Sequence, residues 1–258
     1  MQASVLPARN GWRWLVEGFA LFRRNPPLIG LVVVGYWILL AVCGLFSLPG
    51  IVAAAIVTPA LSVGVAQACR NVEEGRKALP GVLFAGFRGP ARPLLLLGTA
   101  YFLATLVVLG LTAVVDGGAL FRLRLDLMPF REALAAPGIG TAVELAVVLT
   151  LPVMFAFWYA PLLVAWHGQP LFKAVFFSFV ACLRNWRAFL VHVLGVFAIA
   201  LLLPGLLIRF ASLLLPGAAD LLLALMTLPA LFIIAPTLFA SFYVSYRDVF
   251  GISPAEPV

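Results

Sequence analysis

Residues 28–47 read Leu28-Ile29-Gly30-Leu31-Val32-Val33-Val34-Gly35-Tyr36-Trp37-Ile38-Leu39-Leu40-Ala41-Val42-Cys43-Gly44-Leu45-Phe46-Ser47, without one charged side chain. At helical rise such a run is about 30 Å long, the thickness of a bilayer's hydrocarbon core. Five further apolar runs, charged only at Glu144, cover about 51–69, 93–115, 141–166, 188–208 and 221–243. Together they hold about half the chain, and the connectors between them are too short to bury a core of their own. The sequence predicts an all-α polytopic membrane protein. Its six transmembrane helices form one integral domain over residues 1–258.

The composition agrees. Of 258 residues 64% are hydrophobic and 10% charged, against roughly a quarter charged in an ordinary soluble domain. Mean hydropathy is +1.13. There is too little polar surface to coat a soluble body, and the hydrophobicity excludes a disordered chain. The net charge of +7 would suggest nucleic acid in a soluble protein. Here the distribution of charge explains it better. Thirteen of the 17 basic residues fall on the side of the N-terminus: Arg9, Arg13, Arg23, Arg24, Arg70, Arg76, Lys77, Arg88, Arg92, Lys173, Arg184, Arg187 and Arg247. Arg122, Arg124, Arg131 and Arg209 fall on the other side. The positive-inside rule then places both termini in the cytoplasm. Lys77 and Lys173 are the only lysines. That arginine bias, with abundant Ala, Gly and Leu, points to a GC-rich bacterial genome and hence to a bacterial inner membrane. A cleaved signal peptide is not expected, since the first apolar run begins at Leu28 and exceeds the 7–15 residues of a signal core.

Ahead of that run, residues 9–24 place Trp12, Leu15, Val16, Phe19 and Phe22 on one stripe of a helix. Arg9, Arg13 and Glu17 lie off the stripe, Arg23 and Arg24 close it, and Asn25-Pro26-Pro27 ends it. This pattern predicts an amphipathic helix in the membrane plane. Residues 81–88 and 171–184 read as further in-plane helices. The result is a basic, aromatic collar at the inner leaflet, with Trp12, Trp14, Arg13, Arg23, Arg24, Arg70, Arg88, Arg184, Arg187 and Arg247 as lipid or interface candidates. Each such cation gains on the order of 1 kcal/mol near anionic lipid.

Two segments echo one another. Pro59 matches Pro236, Arg70 matches Arg247 eleven residues on, and Asn71-Val72 matches Asp248-Val249. Between them Ala60, Gly64 and Ala68 answer to Thr237, Ser241 and Ser245. Small residues at i, i+4 and i+8 form one helix face and let helices approach closely in lipid. Pro161 holds the matching place in the middle hairpin, where Leu162, Trp166 and Pro170 replace the small face. Aromatic and arginine entries precede the odd helices at Phe22-Arg23, Phe87-Arg88 and Arg184-Asn185-Trp186-Arg187. These matches read as three copies of one unit: in-plane helix, helix out, helix back.

Chemistry-bearing residues are few. An ionisable group in the membrane is a functional candidate by default, and Glu144, about one turn into the fourth helix, is the clearest. Asp116, Asp220 and Arg209 fall at outer helix ends. His192 and His167 sit on neighbouring helices at similar depth, an arrangement open to haem. His167, however, runs into Gly168-Gln169-Pro170 at the headgroup layer, so His192 is read as a packing histidine and no cofactor is expected. Cys43, Cys69 and Cys182 form no CxxC and read as packing thiols. In the outer connector, Phe121-Arg122-Leu123-Arg124-Leu125-Asp126-Leu127 alternates with period two, a strand pattern. A lone strand needs a partner edge, so this segment is expected either to lie on the membrane with its leucines down or to pair with another subunit. No catalytic or nucleotide-binding motif occurs, nor a metal-ligand motif, so the chain is expected not to be an enzyme.

At Pro59–Gly75, which carries Cys69-Arg70, and at Pro236–Gly251, which closes Tyr246-Arg247-Asp248-Val249-Phe250-Gly251, the sequence resembles uncharacterised bacterial inner-membrane families. These share a basic N-terminus like Trp12–Arg24. It is similar, more distantly, to the membrane domain attached to some glycerophosphodiester phosphodiesterases. The resemblance implies a six-helix integral protein. The phosphodiesterase activity is not implied, because the soluble domain that carries it is missing. The expected role is an accessory subunit of a membrane complex or a lipid-interacting scaffold. Its expected partners are anionic inner-leaflet lipids and, with them, other membrane subunits or a second copy, not nucleic acid. The alternative is a small transporter or channel for an apolar or amphipathic solute, motivated by the proline-broken hairpins and Glu144.

Overall fold

Prolines and glycines set most helix boundaries in a computed structural model that describes residues 3–214, 225, 227 and 229–251. Asp220 and the beginning of the sixth expected span lie outside the described residues. Helix α1 (Asn10–Arg24) ends at Asn25, whose Oδ1 accepts the Leu28 amide at 3.2 Å. Pro26 and Pro27 then open α2 (Pro26–Gly44), where a missing N–H costs nothing. The chain continues through α3 (Ser47–Glu73), a 3-10 turn (Pro80–Phe84), α4 (Ala85–Arg88), α5 (Ala91–Asp116), α6 (Ala119–Arg124), α7 (Phe130–Leu134), α8 (Ile139–Trp158) and α9 (Ala160–His167). It ends with α10 (Leu171–Arg184), α11 (Trp186–Phe197), α12 (Leu203–Leu214) and α13 (Ala235–Phe250). Two π-helical segments interrupt this last part, Ala198–Leu202 and Ala230–Ile234.

Among the described residues there is no strand, and six helical stretches are long and apolar enough to span a membrane. They are Pro26–Gly44, Ser47–Glu73, Ala91–Asp116, Ile139–His167, Trp186–Phe210 and Ala230–Phe250. The protein is therefore an all-α polytopic membrane protein.

Two local expectations are corrected. The turn between α2 and α3 falls at Leu45-Phe46, inside the first expected run and not after it at residues 48–50 between the runs 28–47 and 51–69. Proline is well placed in the first turn of a helix, so α3 starts ahead of it, at Ser47. The alternating segment 121–127 forms the last turn of helix α6 and the turn after it, not a strand. Gly117 and Gly118 both take positive φ, and the Asp116 carboxylate accepts the Gly118 and Leu120 amides at 2.8 Å each. That cap begins a helix whatever the side-chain alternation of the next few residues.

The chain divides into two compact units. One comprises Trp37–Val63 and Phe84–Cys182, and α5 packs on α8 in it. Its helical path breaks at Tyr159, where α8 gives way to α9 with Pro161 near the new N-terminus. Ser178 mends the gap. Its Oγ accepts the Tyr159 amide at 2.9 Å and donates to the Phe155 carbonyl at 2.8 Å, standing in for the lost i→i+4 bond. Cys182, one turn along α10, is enclosed, and burial pushes its thiol well above the usual range despite Ser178 beside it. The other unit comprises the residues through Tyr36, Gly64–Leu83 and those from Leu183 on. It holds the candidate site.

Candidate functional site

Helix α1 joins this unit through glycines. A Cβ on Gly11 would run into the Ala188 carbonyl, and one on Gly18 would stand 2.6 Å from the Ser241 amide nitrogen. The backbones of α11 and α13 therefore approach α1 at the distance that a glycine allows. The face so formed is Gly11, Trp14, Leu15, Gly18, Leu21 and Phe22, all buried. Contacts run from Trp14 at Asp248 to Gly18 at Ser241, and from Gly11 at Ala188 to Leu15 at Gly195. Helix α1 thus lies lengthwise, antiparallel to α13 and parallel to α11, along two of the apolar spans and not across them. This corrects the expected in-plane setting, because the glycine contacts align α1 with the helices it packs on.

The expected apolar stripe is consequently divided. Leu15 and Phe22 are buried, whereas Trp12, Val16 and Phe19 are exposed on the opposite flank. Trp14, expected at the lipid interface, is instead fully enclosed. It lies edge-on to Phe189 and His192, and its Nε1 donates to Asp248 Oδ2 at 3.2 Å. The His192 Nδ1 lies 3.3 Å from the Gly11 carbonyl in the same layer, the place of a packing histidine.

Arg247, another interface candidate, is also drawn inward. Its side chain is 15% exposed and held by carboxylates from three helices. Its guanidinium meets Glu17 Oε2 of α1 at 2.6 Å, Asp248 Oδ1 at 2.9 Å, and Glu73 Oε1 of α3. Tyr243 donates its hydroxyl to Glu73 Oε2 at 2.6 Å, and Arg13 donates to Glu17 Oε1 at 2.8 Å. Burial pushes the Glu17 carboxyl upward. The Arg13 and Arg247 hydrogen bonds and charges outweigh this and hold it below the usual carboxylate value. The segment before α1 is fastened as well. Ser4 donates its amide to the Val249 carbonyl, and Asn185 Nδ2 and Oδ1 bond the Ser4 carbonyl and the Leu6 amide, at 2.8, 2.9 and 2.8 Å.

The remaining candidates are spread out. Arg23, Arg24, Arg88, Arg184 and Arg187 are exposed. Arg23 stands 5.7 Å from the Phe19 ring centroid and Arg187 stands 5.5 Å from that of Trp186. Arg70 pairs with Glu74, one residue past the end of α3, at 3.0 Å. Ala60, Gly64, Ala68, Ser241 and Ser245 are buried, as packing positions should be. Thr237 differs, since it lines a cavity of about 290 Å³. Trp12, Val16 and Phe19 of α1 form one wall, and Ile199 and Ile233 from the two π-helical segments form part of the other. Glu144 is exposed on α8 and does not line this cavity. Sequence reasoning did not find Glu73, Tyr243 or Asp248. Glu73 shares a motif with Arg70, but nothing in the sequence ties it to a residue 174 positions away.

No family model matches the chain, and no solved structure matches it. The chain is 37% identical to the probable inner membrane protein of Burkholderia thailandensis over 268 aligned positions, which cover 100% of this chain and 97% of that one.

Proposed function

This chain belongs to the family of that Burkholderia inner-membrane protein, and on that premise we propose that it acts without catalysis. Its role is that of a lipid-interacting scaffold or an accessory subunit of a membrane complex, with both termini in the cytoplasm. The observation that carries the reading is the two-sided use of α1. One side is fixed to α11 and α13 through Gly11, Gly18 and the Glu17–Arg247 pair. The other leaves Trp12, Val16 and Phe19 exposed beside the cations Arg23 and Arg24. Exposed aromatic and aliphatic side chains next to arginine suit an anionic leaflet, apolar groups toward the acyl chains and guanidinium groups toward phosphate. Such a helix, immobilised on a bundle, is an amphipathic sensor or holder of lipid rather than a reaction centre.

Purification from native membranes in a mild detergent, followed by mass spectrometry of lipids and proteins, tests the proposal. Enriched anionic phospholipid or a stoichiometric membrane partner is expected. A lone chain carrying only bulk lipid would overturn it. The transport alternative leaned on Glu144, which is exposed on α8. Unchanged uptake in Glu144→Gln cells would remove its best residue.

A further inference from the structure

The cavity at Thr237 combines three features. First, its walls are aliphatic and aromatic side chains, and Thr237 carries the one hydroxyl among the lining residues. Second, that hydroxyl oxygen is buried with no hydrogen-bond partner. Thr58, Thr99, Thr105 and Thr112 instead donate to carbonyls of their own helices at 2.7–3.0 Å. The carbonyls three and four residues before Thr237 are those of Ile234 and Ile233, inside a π-helical segment. There the i→i+5 register carries them away from their usual positions. Third, a second π-helical segment, Ala198–Leu202, supplies Ile199 to the facing wall. Single π turns inside α-helices are frequent at functional sites.

We propose that this cavity is a binding site for one acyl chain of an anionic phospholipid, with the phosphate held at Arg23. This deepens the scaffold reading above and rests on it. Size excludes a whole lipid, since about 290 Å³ lies at the small end of ligand pockets. The walls also exclude an extended peptide, whose backbone groups would find no partners there. An alkyl chain needs none. The chain spans a membrane, so an alkyl chain is the medium at hand. The charge is complementary too, because the Arg23 guanidinium stands 5.7 Å from the ring of Phe19, a wall residue.

The test uses the full-length protein in phosphatidylcholine vesicles containing phosphatidylglycerol with a photoreactive group on its acyl chain, with labelled peptides located by mass spectrometry. Label is expected on the segments carrying Val16, Ile199 and Thr237. Ile199→Trp and Thr237→Phe, which fill the space, should reduce that label by about tenfold, the effect of withdrawing roughly two methylenes from burial. Label on Leu103 and Val107, exposed on α5, should stay constant and reports annular lipid. Arg23→Gln should bring labelling by phosphatidylglycerol down to that of a photoreactive phosphatidylcholine. Cavity label that persists in the filled variants, or that is absent from the wild-type chain, overturns the proposal. The wild-type measurement stands even if a filled variant does not fold. Anionic label spread along α1 but indifferent to filling would sink the acyl site and leave the scaffold reading intact. No anionic preference anywhere on α1 would sink both.

Discussion

Residues 59–70 and 236–247 share a proline, a face of small residues and an arginine at matching positions, yet their surroundings differ. In the first, Ala60 and Ala68 are fully buried, and Gly64 admits the backbone of Leu83 where a Cβ would otherwise stand. In the second, Ser241 meets Gly18 and Ser245 is buried, but Thr237 opens on a cavity. Arg70 pairs with the acid four residues on, while Arg247 is gripped by Glu17, Glu73 and Asp248. Spacing sets which residues share a face. What fills that face, and whether its arginine is a rim charge or a buried clamp, depends on which distant segment arrives with a glycine or a carboxylate.

The contrast can be broken most directly at the arginines. Arg247→Ala removes the cation shared by three carboxylates and leaves them only Arg13, Tyr243 and Trp14 as partners, so the loss should be about 3 kcal/mol, at the low end for removing one partner from a buried ionic cluster. Unfolding in detergent micelles measures it, and a shift no larger than that of an Arg70 variant would erase the distinction. Gly18→Val comes next, at about 1–3 kcal/mol, because the new side chain must displace the Ser241 backbone. Gly30→Val is the matched control, since a Cβ there meets nothing within 4 Å. Trp14→Phe keeps the ring in its layer but deletes the bond to Asp248, for a loss of about 1 kcal/mol. Equal melting of this variant and wild type would mean that the bond contributes nothing.

Acid should release α1 before the bundle unfolds. The Glu17 carboxyl is held below its ordinary value of 4.5. Its stabilising contribution is therefore complete above that value and is lost as pH falls through the lower, folded one. Tryptophan fluorescence followed while pH is lowered should show a transition that Glu17→Gln abolishes. The smallest effect belongs to Arg70→Gln. It breaks a partly exposed i, i+4 pair with Glu74 and should cost less than about 0.5 kcal/mol.

The helix α1 shows how far the sequence could be read. Periodicity located it and set its end at Asn25, but read Trp12, Leu15, Val16, Phe19 and Phe22 as one stripe facing lipid and Trp14 as an interface residue, whereas Trp14, Leu15 and Phe22 are packed. The side that packs includes Gly11 and Gly18, and glycine carries no hydrophobic signal, although here its lack of a side chain lets the backbones meet. The strand pattern at 121–127 failed for a related reason. Seven residues of alternation weighed less than an Asp116 cap and two left-handed glycines. The π-helical segments and the orphaned Thr237 hydroxyl had no sequence signature, because they arise where helix register adjusts to neighbours.

The six-span architecture follows from local composition alone. A run of about 20 apolar residues must satisfy its backbone internally once it enters hydrocarbon, and a helix does this without reference to any other segment. Inner-membrane placement follows similarly, and the relative from Burkholderia agrees with it. The tertiary structure alone determined which side of α1 is closed, how Arg247 is neutralised and where a cavity is left. Those outcomes depend on approach distances between residues more than 170 positions apart, and these are fixed only when the helices are packed together.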